Sequence, residues 1–385
     1  MTFFNPLTQF INYGPQHPSV HGCLRLVLEC QNENIVAITP HIGFLHRGIE
    51  KIIESKTYSQ AIPYVDRTDY VSAGTQEHAY VLAVEKLLNI VPPKRAQFIR
   101  VLVCELSRIA SHLIHLTMLA LDSGSLSPFL LAMEEREKLM EIFEKISGAR
   151  LLFNYFRVGG VASDISNETL DFIAEWVSKF FARLDDIEPF LTDSNIFKSR
   201  TEGVGIVTLN QALEFGLSGP NLRASGLKWD LRKNEPYENY EDFEFEIPVM
   251  KIGDTYSRYL IKIFEMRQSL KIIRQCLSMP SGDICVQDLR FCPPQKTGDA
   301  NIIYHTNYYR HGFAVPKGNA RQAVESPKGE LAVHVFADGS EKPYRCRIRS
   351  AGFSVVQLLS EIVKNVSELP VILASLDLMP SEIDR

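Results

Sequence analysis

The sequence predicts an α+β protein in which a central antiparallel helix bundle follows a small N-terminal β unit and precedes a C-terminal α/β part. Three observations predict it. Residues 23–29 and 34–39 alternate apolar and polar side chains around a polar turn at 30–33, the period of paired strands. Between 75 and 277 apolar residues recur at helical spacing in several long segments. Near the end, Asp338-Gly339-Ser340 separates strand-like runs at 331–337 and 344–349, a hairpin signal. The expected division is 1–48 for the β unit and its loop, 49–290 for the helical bundle core with excursion loops, and 291–385 for the C-terminal α+β part.

The loop that opens the chain, Gly14-Pro15-Gln16-His17-Pro18-Ser19-Val20-His21-Gly22, concentrates unusual chemistry. Pro18 disfavours the α region at His17, so the two histidines do not share a helical face as a metal-binding His-x-x-x-His pair would. The segment is either a rigid turn whose histidines bond to backbone or a functional loop.

The helices follow in order. Residues 75–88 form the first, Pro92-Pro93 end it, and 95–121 form a long helix apolar on most faces and therefore buried. Its polar residues Glu105, Arg108, His112, His115 and Asp122 fall on one stripe. Asp122 lies in the last turn, where a carboxylate opposes the helix dipole, so it is either solvated or held there for a purpose. Ser127 as N-cap and Pro128 open a helix to about 147, and 167–191 and 254–277 complete the set. Residues 201–246 read as excursion loops, 354–365 as a further helix, and the apolar run 371–376 as a strand.

Composition narrows function. A hydrophobic content of 45% and a net charge of −5 over 385 residues describe a folded globular chain. With 41 Lys+Arg against 46 Asp+Glu and no basic tract, nucleic acid is not an expected partner. The seven cysteines include no Cys-x-x-Cys, which points to a reducing compartment, no disulfide framework and no iron–sulfur cluster held by this chain. The longest charge-free apolar run, 109–121, is shorter than the ~20 residues that span a bilayer. The first twelve residues resemble neither a transit peptide nor a secretory signal, so a protein working in an organelle would be made there.

No Gly-x-Gly-x-x-Gly, Gly-Lys-[Ser/Thr] or Gly-x-Ser-x-Gly motif is present. His112 and His115, at i and i+3, read as part of a polar network, since no third metal ligand accompanies them. What remains is a set suited to proton delivery: His17 and His21 in the loop, Tyr70 among charges, and Asp122 at its helix end.

At these residues the chain resembles a known family. The loop 14–22, Pro40-His41-Ile42-Gly43-Phe44-Leu45-His46-Arg47-Gly48, Arg67-Thr68-Asp69-Tyr70-Val71, residues 134–138, Trp229-Asp230-Leu231-Arg232, Glu265-Met266-Arg267-Gln268-Ser269 and Glu325-Ser326-Pro327-Lys328-Gly329-Glu330 together resemble the quinone-site subunits of respiratory complex I. These are relatives of the nickel–iron hydrogenase large subunit, and the resemblance runs in order from Gly14 to Arg385.

The resemblance implies a hydrogenase-large-subunit-like fold in a subunit of an NADH:ubiquinone oxidoreductase that is not active alone. It implies that His21 and Tyr70 hydrogen-bond a ubiquinone headgroup, that Asp122 partners His21, and that His17 and Met118 line the pocket. His46, Arg47 and Arg67 would face a partner iron–sulfur subunit that carries the terminal cluster. Other peripheral-arm subunits and the membrane arm are the further expected partners. The hydrogenase relatives hold metal with paired cysteines near both ends, and this chain has none in Arg67-Thr68-Asp69-Tyr70 or in Leu376-Asp377-Leu378-Met379-Pro380-Ser381. No metal is therefore expected in this chain.

Val158 stands where the family pattern has proline, Met118 where it has threonine, and the segment after Gly352-Phe353 diverges until Glu382. Residues 75–88 follow the mitochondrial and proteobacterial version, so the expected location is the matrix face of the mitochondrial inner membrane. The cytoplasmic face of a bacterial plasma membrane is the alternative. A hydrogenase large subunit and a degenerate scaffold are the competing readings of function.

Overall fold

A computed structural model describes residues 8–19, 22–293 and 298–385. Three antiparallel strands, Thr8–Tyr13, Arg25–Gln31 and Asn34–His41, lie side by side in chain order. Leu24, Leu26, Leu28 and Cys30 alternate onto the buried face, as the period of two requires. The strand Thr8–Tyr13 has no sequence signature because most of it is solvent-exposed and shows no apolar alternation. The buried face of this sheet shares a core with Val355, Leu359, Leu369, Leu373 and Ile383, so the two ends of the chain pack together.

The helix Tyr58–Asp66 begins at a reciprocal cap in which Thr57 and Gln60 bond each other's backbone. Ala73–Leu88, Lys94–Asp122, Leu126–Ser147, Asn167–Ile187 and Thr255–Cys276 then build the main bundle around a continuous apolar core. The 29-residue helix Lys94–Asp122 is long and apolar enough to cross a membrane, which the length of its charge-free run does not suggest. Its most apolar window is 89% buried within the protein, so it is the bundle's central core helix.

Several boundaries move. The cap of Leu126–Ser147 is Ser125 and not Ser127, because Gly124 reverses the chain at φ 85° and the next helix starts at once. The segment expected at 167–191 ends at Ile187, and Pro189 starts a separate turn, Pro189–Thr192. The run 371–376 is no strand: Leu369–Leu376 is a helix with Pro370 in its first turn and Val371 to Leu376 all buried. A helix buried on every side has no polar face, which erases the period that separates it from a strand.

The hairpin is three-stranded, Gly318–Ser326, Gly329–Ala337 and Arg345–Arg349, and it packs on Ala73–Leu88. The helix expected at 354–365 spans Gly352–Ile362, and Asp299–His311 is a further helix. Cys285 and Cys292 are joined as a disulfide, Cα atoms 6.4 Å apart, where no bridge is expected from the sequence. It closes a short local loop that carries no paired-cysteine spacing signal.

Candidate functional site

The loop after Thr8–Tyr13 is shaped by close approach. A Cβ on Gly14, at φ +89°, would stand 2.1 Å from the Leu24 carbonyl oxygen, so only glycine fits there. The His17 ring lies 4.0 Å from the Tyr13 ring, and its Nδ1 accepts the Ser19 backbone N–H at 3.2 Å. A neutral His17 therefore carries its proton on Nε2. The Ser19 side chain stands beside Asp122 at the end of the long helix. Burial pushes the Asp122 carboxyl up to about 6, against the easing contact with Ser19. Met118, half-buried, lies one turn before Asp122 on the same helix face. His21 lies outside the described residues.

The other end of the loop meets a different part of the chain. A Cβ on Gly22 would lie 3.0 Å from the Pro380 ring, and Ser381 Oγ donates to the Thr68 carbonyl at 2.9 Å. These contacts draw in the turn that carries Tyr70, between Tyr58–Asp66 and Ala73–Leu88. Tyr70 is 42% exposed. Burial of its inner half raises its pKa, Asp69 and Cys23 add to that, and Lys328 and Arg47 oppose it. The opening loop thus reaches Asp122 through Ser19, and it approaches the Tyr70 turn by way of Pro380 and Ser381, with the Cys23 thiol near enough to act on Tyr70.

Asp69, behind Tyr70, is buried and bonded by Lys328 Nζ at 2.5 Å and Ser72 Oγ at 2.7 Å. Burial, reinforced by Asp69, pushes the nearby Glu382 up to about 7. Lys328 and Glu382 both lie in stretches that carry the family resemblance or border its divergent segment, but sequence reasoning singles out neither. A charged residue in a turn ordinarily reads as solvated, and only the fold shows these two sealed beside Asp69.

His46, Arg47 and Arg67 come together on an exposed face next to Tyr70. The Arg47 guanidinium donates to the Arg67 carbonyl, and Arg67 donates to the Pro63 carbonyl. His46 Nδ1 bonds the Asp384 carbonyl at 2.7 Å, and the Asp384 carboxylate accepts the Gly43 and Leu45 backbone N–H groups at 2.7 Å each. Ile42 and Phe44 are exposed on the same loop.

The stripe on the long helix has a different fate. Glu105 is bonded by Ser269 Oγ at 2.6 Å, Tyr240 Oη at 2.7 Å and Arg232 at 3.2 Å. Arg223 bridges Glu265 at 2.6 Å and Glu325 at 2.8 Å, and His112 bonds Glu265 at 2.9 Å. The motifs at 229–232, 265–269 and 325–330 therefore meet in one buried ionic network around the stripe. Burial drives His112 down to about 4, so it is neutral at pH 7. His115 faces Asp377 instead. Among the described residues no group of three or more His, Cys, Asp or Glu is arranged to hold a metal ion.

Comparison with known proteins agrees with this architecture. The family described as respiratory-chain NADH dehydrogenase, 49 Kd subunit, matches residues 122–385, and the nickel-dependent hydrogenase family matches 47–147. The chain is 49% identical to an NADH-quinone oxidoreductase subunit of Ehrlichia canis (strain Jake), over 99% of this chain and 98% of that protein. It is 50% identical to the corresponding NADH-quinone oxidoreductase subunit of Paramagnetospirillum magneticum, over 97% of each. For that of Wolbachia pipientis wMel the figures are 47%, 98% and 99%. A helix bundle with small sheets at its two ends, a hydrogenase-like segment and near-complete alignment to these proteins lead to one conclusion: the chain belongs to the 49 kDa subunit family of respiratory-chain NADH dehydrogenase and is a core subunit of complex I.

Proposed function

We propose that this subunit forms one wall of the cleft in which quinone is reduced, with a neighbouring iron–sulfur subunit as the other wall. The observation that carries the reading is the opening loop, whose Ser19 stands beside Asp122 while its Gly22 packs on Pro380, next to the Ser381 that bonds Thr68 ahead of Tyr70, although these lie far apart in sequence. Tyr70 is exposed to a surface and not enclosed, as half of a shared site would be.

In this reading His21 and Tyr70 hydrogen-bond the quinone headgroup, Asp122 orients and charges His21, and His17 and Met118 line the pocket. His46, Arg47 and Arg67, with exposed Ile42 and Phe44 beside them, face the subunit that carries the terminal cluster. The partner's cluster would supply the two electrons, and Tyr70 and His21 the two protons, that turn quinone into quinol, and refilling those proton sites would couple the reaction to proton translocation. The chain itself supplies hydrogen bonding and protons. Its named relatives are subunits of bacterial NADH-quinone oxidoreductases, which supports a quinone substrate. They support the cytoplasmic face of a bacterial plasma membrane, and the mitochondrial matrix face is the reading that rests on the sequence resemblance alone.

Tyr70→Phe in the assembled complex tests this reading. Electron transfer from NADH to an artificial acceptor upstream should be unchanged while quinone reduction falls. Equal loss of both activities would make Tyr70 a structural residue. Stoichiometric nickel in the purified chain would instead support a hydrogenase.

A further inference from the structure

The three-stranded C-terminal sheet sets two arginines on either side of one histidine. Arg321 lies opposite His334, and His334 opposite Arg347, so one cross-strand line reads Arg, His, Arg. Both arginines, after burial, disfavour the charged form of His334, which shows how close they stand.

Arg321, Arg347, Arg349 and Arg385, with Ser350 and Phe353, line a cavity of about 570 Å³ on this face. Two carboxylates serve the four guanidiniums. Glu330 reaches Arg321 at 2.8 Å and Arg349 at 3.5 Å, and Glu50 reaches Arg385 at 3.6 Å. The Arg347 side chain is exposed and has neither ion pair nor hydrogen bond among the described residues. The Ser350 hydroxyl is buried at the same cavity and also lacks a hydrogen-bond partner there. A chain with net charge −5 thus concentrates uncompensated positive charge and an unused hydroxyl in one concavity.

We propose that this cavity takes carboxylates from an extended acidic segment of another subunit, anchored on Arg347. The proposal rests on the chain working inside a multi-subunit assembly. Arginine binds carboxylate and phosphate alike through its planar fork, so charge alone does not choose between them. Spacing favours the peptide. Arg347 and Arg349 project from alternate residues of one strand, about 7 Å apart, the repeat at which an extended chain presents alternate side chains. Phe353, 42% exposed at the cavity, adds an apolar wall that a free phosphate would not use. The outer edge of this strand is already occupied, because Glu50 accepts the Ile348 N–H and Arg385 donates to the Ile348 carbonyl. The partner segment therefore lies across the face and does not extend the sheet.

The test is arginine labelling with phenylglyoxal, read peptide by peptide, in the intact complex and in the full chain alone. Arg347 should react at least tenfold more slowly in the complex, and its protection should survive exchange into phosphate-free buffer. Equal reactivity overturns the proposal. So does protection that disappears in phosphate-free buffer and returns with inorganic phosphate, which would mark a small-anion site. Arg347→Glu should cut several-fold the fraction of chain that co-purifies with the complex at about 0.15 M salt. Arg347→Lys should restore most of it, and undiminished retention of the Glu variant again overturns the proposal. A complex carrying Tyr70→Phe should label like wild type whatever its quinone activity, so this test and the test of the quinone site fail independently.

Discussion

Two regions of this molecule are equally rich in ionisable groups and differ in nearly everything else. Around Glu105, Arg223, Arg232 and Glu265 every charge is buried and matched by an opposite one within hydrogen-bonding distance. Around Tyr70 and Asp122 the groups are partly exposed, and burial is the largest influence displacing their pKa values upward. The first arrangement is rigid and electrically closed, the second open and able to exchange protons. The difference teaches that a charged motif in a sequence announces placement, and that only its degree of compensation separates scaffold from chemistry.

Breaking the closed region should have the largest effect. Arg223→Leu leaves Glu265 and Glu325 buried without their main partner and should cost about 3–5 kcal/mol of stability. Thermal unfolding and complex yield report it, and a chain that assembles normally would show the network to be dispensable.

At the open region the same scale of change should spare the fold. Tyr70→Phe should slow quinone reduction roughly tenfold or more, the worth of one lost hydrogen bond and proton donor, with no shift in unfolding temperature. A shift comparable to that of Arg223→Leu would erase the distinction between the regions.

Asp122→Asn sharpens the comparison through pH. Above about 6 the Asp122 carboxyl is ionised and, in the proposed site, would favour protonated His21, while below that it is neutral and resembles asparagine. The variant should therefore match wild type near pH 5.5 and fall several-fold behind at the alkaline end of the working range. Combined with His21→Ala, its effect should be far from multiplicative, since residues that act as a unit are non-additive. A pH-independent deficit would mean that Asp122 acts through shape.

The smallest effect belongs to exposed pairs. Lys179→Ala, which removes the solvent-facing contact with Glu175, should leave both stability and turnover within error.

Much of this was legible in the sequence, and the exceptions share a cause. The amphipathic helix Asn167–Ile187 and the long stripe from Glu105 to Asp122 stood out because each has two unlike faces. Tyr70 and Asp122 stood out because each broke a local rule. Gly318–Ser326 was missed because its polar residues outnumber its apolar ones, and Asp299–His311 because it is rich in polar and tyrosine residues. Leu369–Leu376 was misread for the opposite reason, being buried all round. At the site, Ser19, Lys328 and Glu382 depend on contacts across long sequence distances, for which one chain carries no local signal.

The grip of Asp384 on Gly43 and Leu45, and of Pro380 on Gly22, has a consequence for biogenesis. On a ribosome the segment near residue 20 emerges early, yet the surfaces that shape it are translated more than 330 residues later. Until then the sheet behind the loop lacks the core it shares with residues 355–383, and the Tyr70 turn lacks the Ser381 bond to Thr68. The edge that carries the opening loop is therefore the last part of the subunit to mature, and a chain stopped short of residue 380 would present a helical bundle whose edge is not yet closed. A partner that recognises only the closed edge would accept complete chains and leave interrupted ones behind.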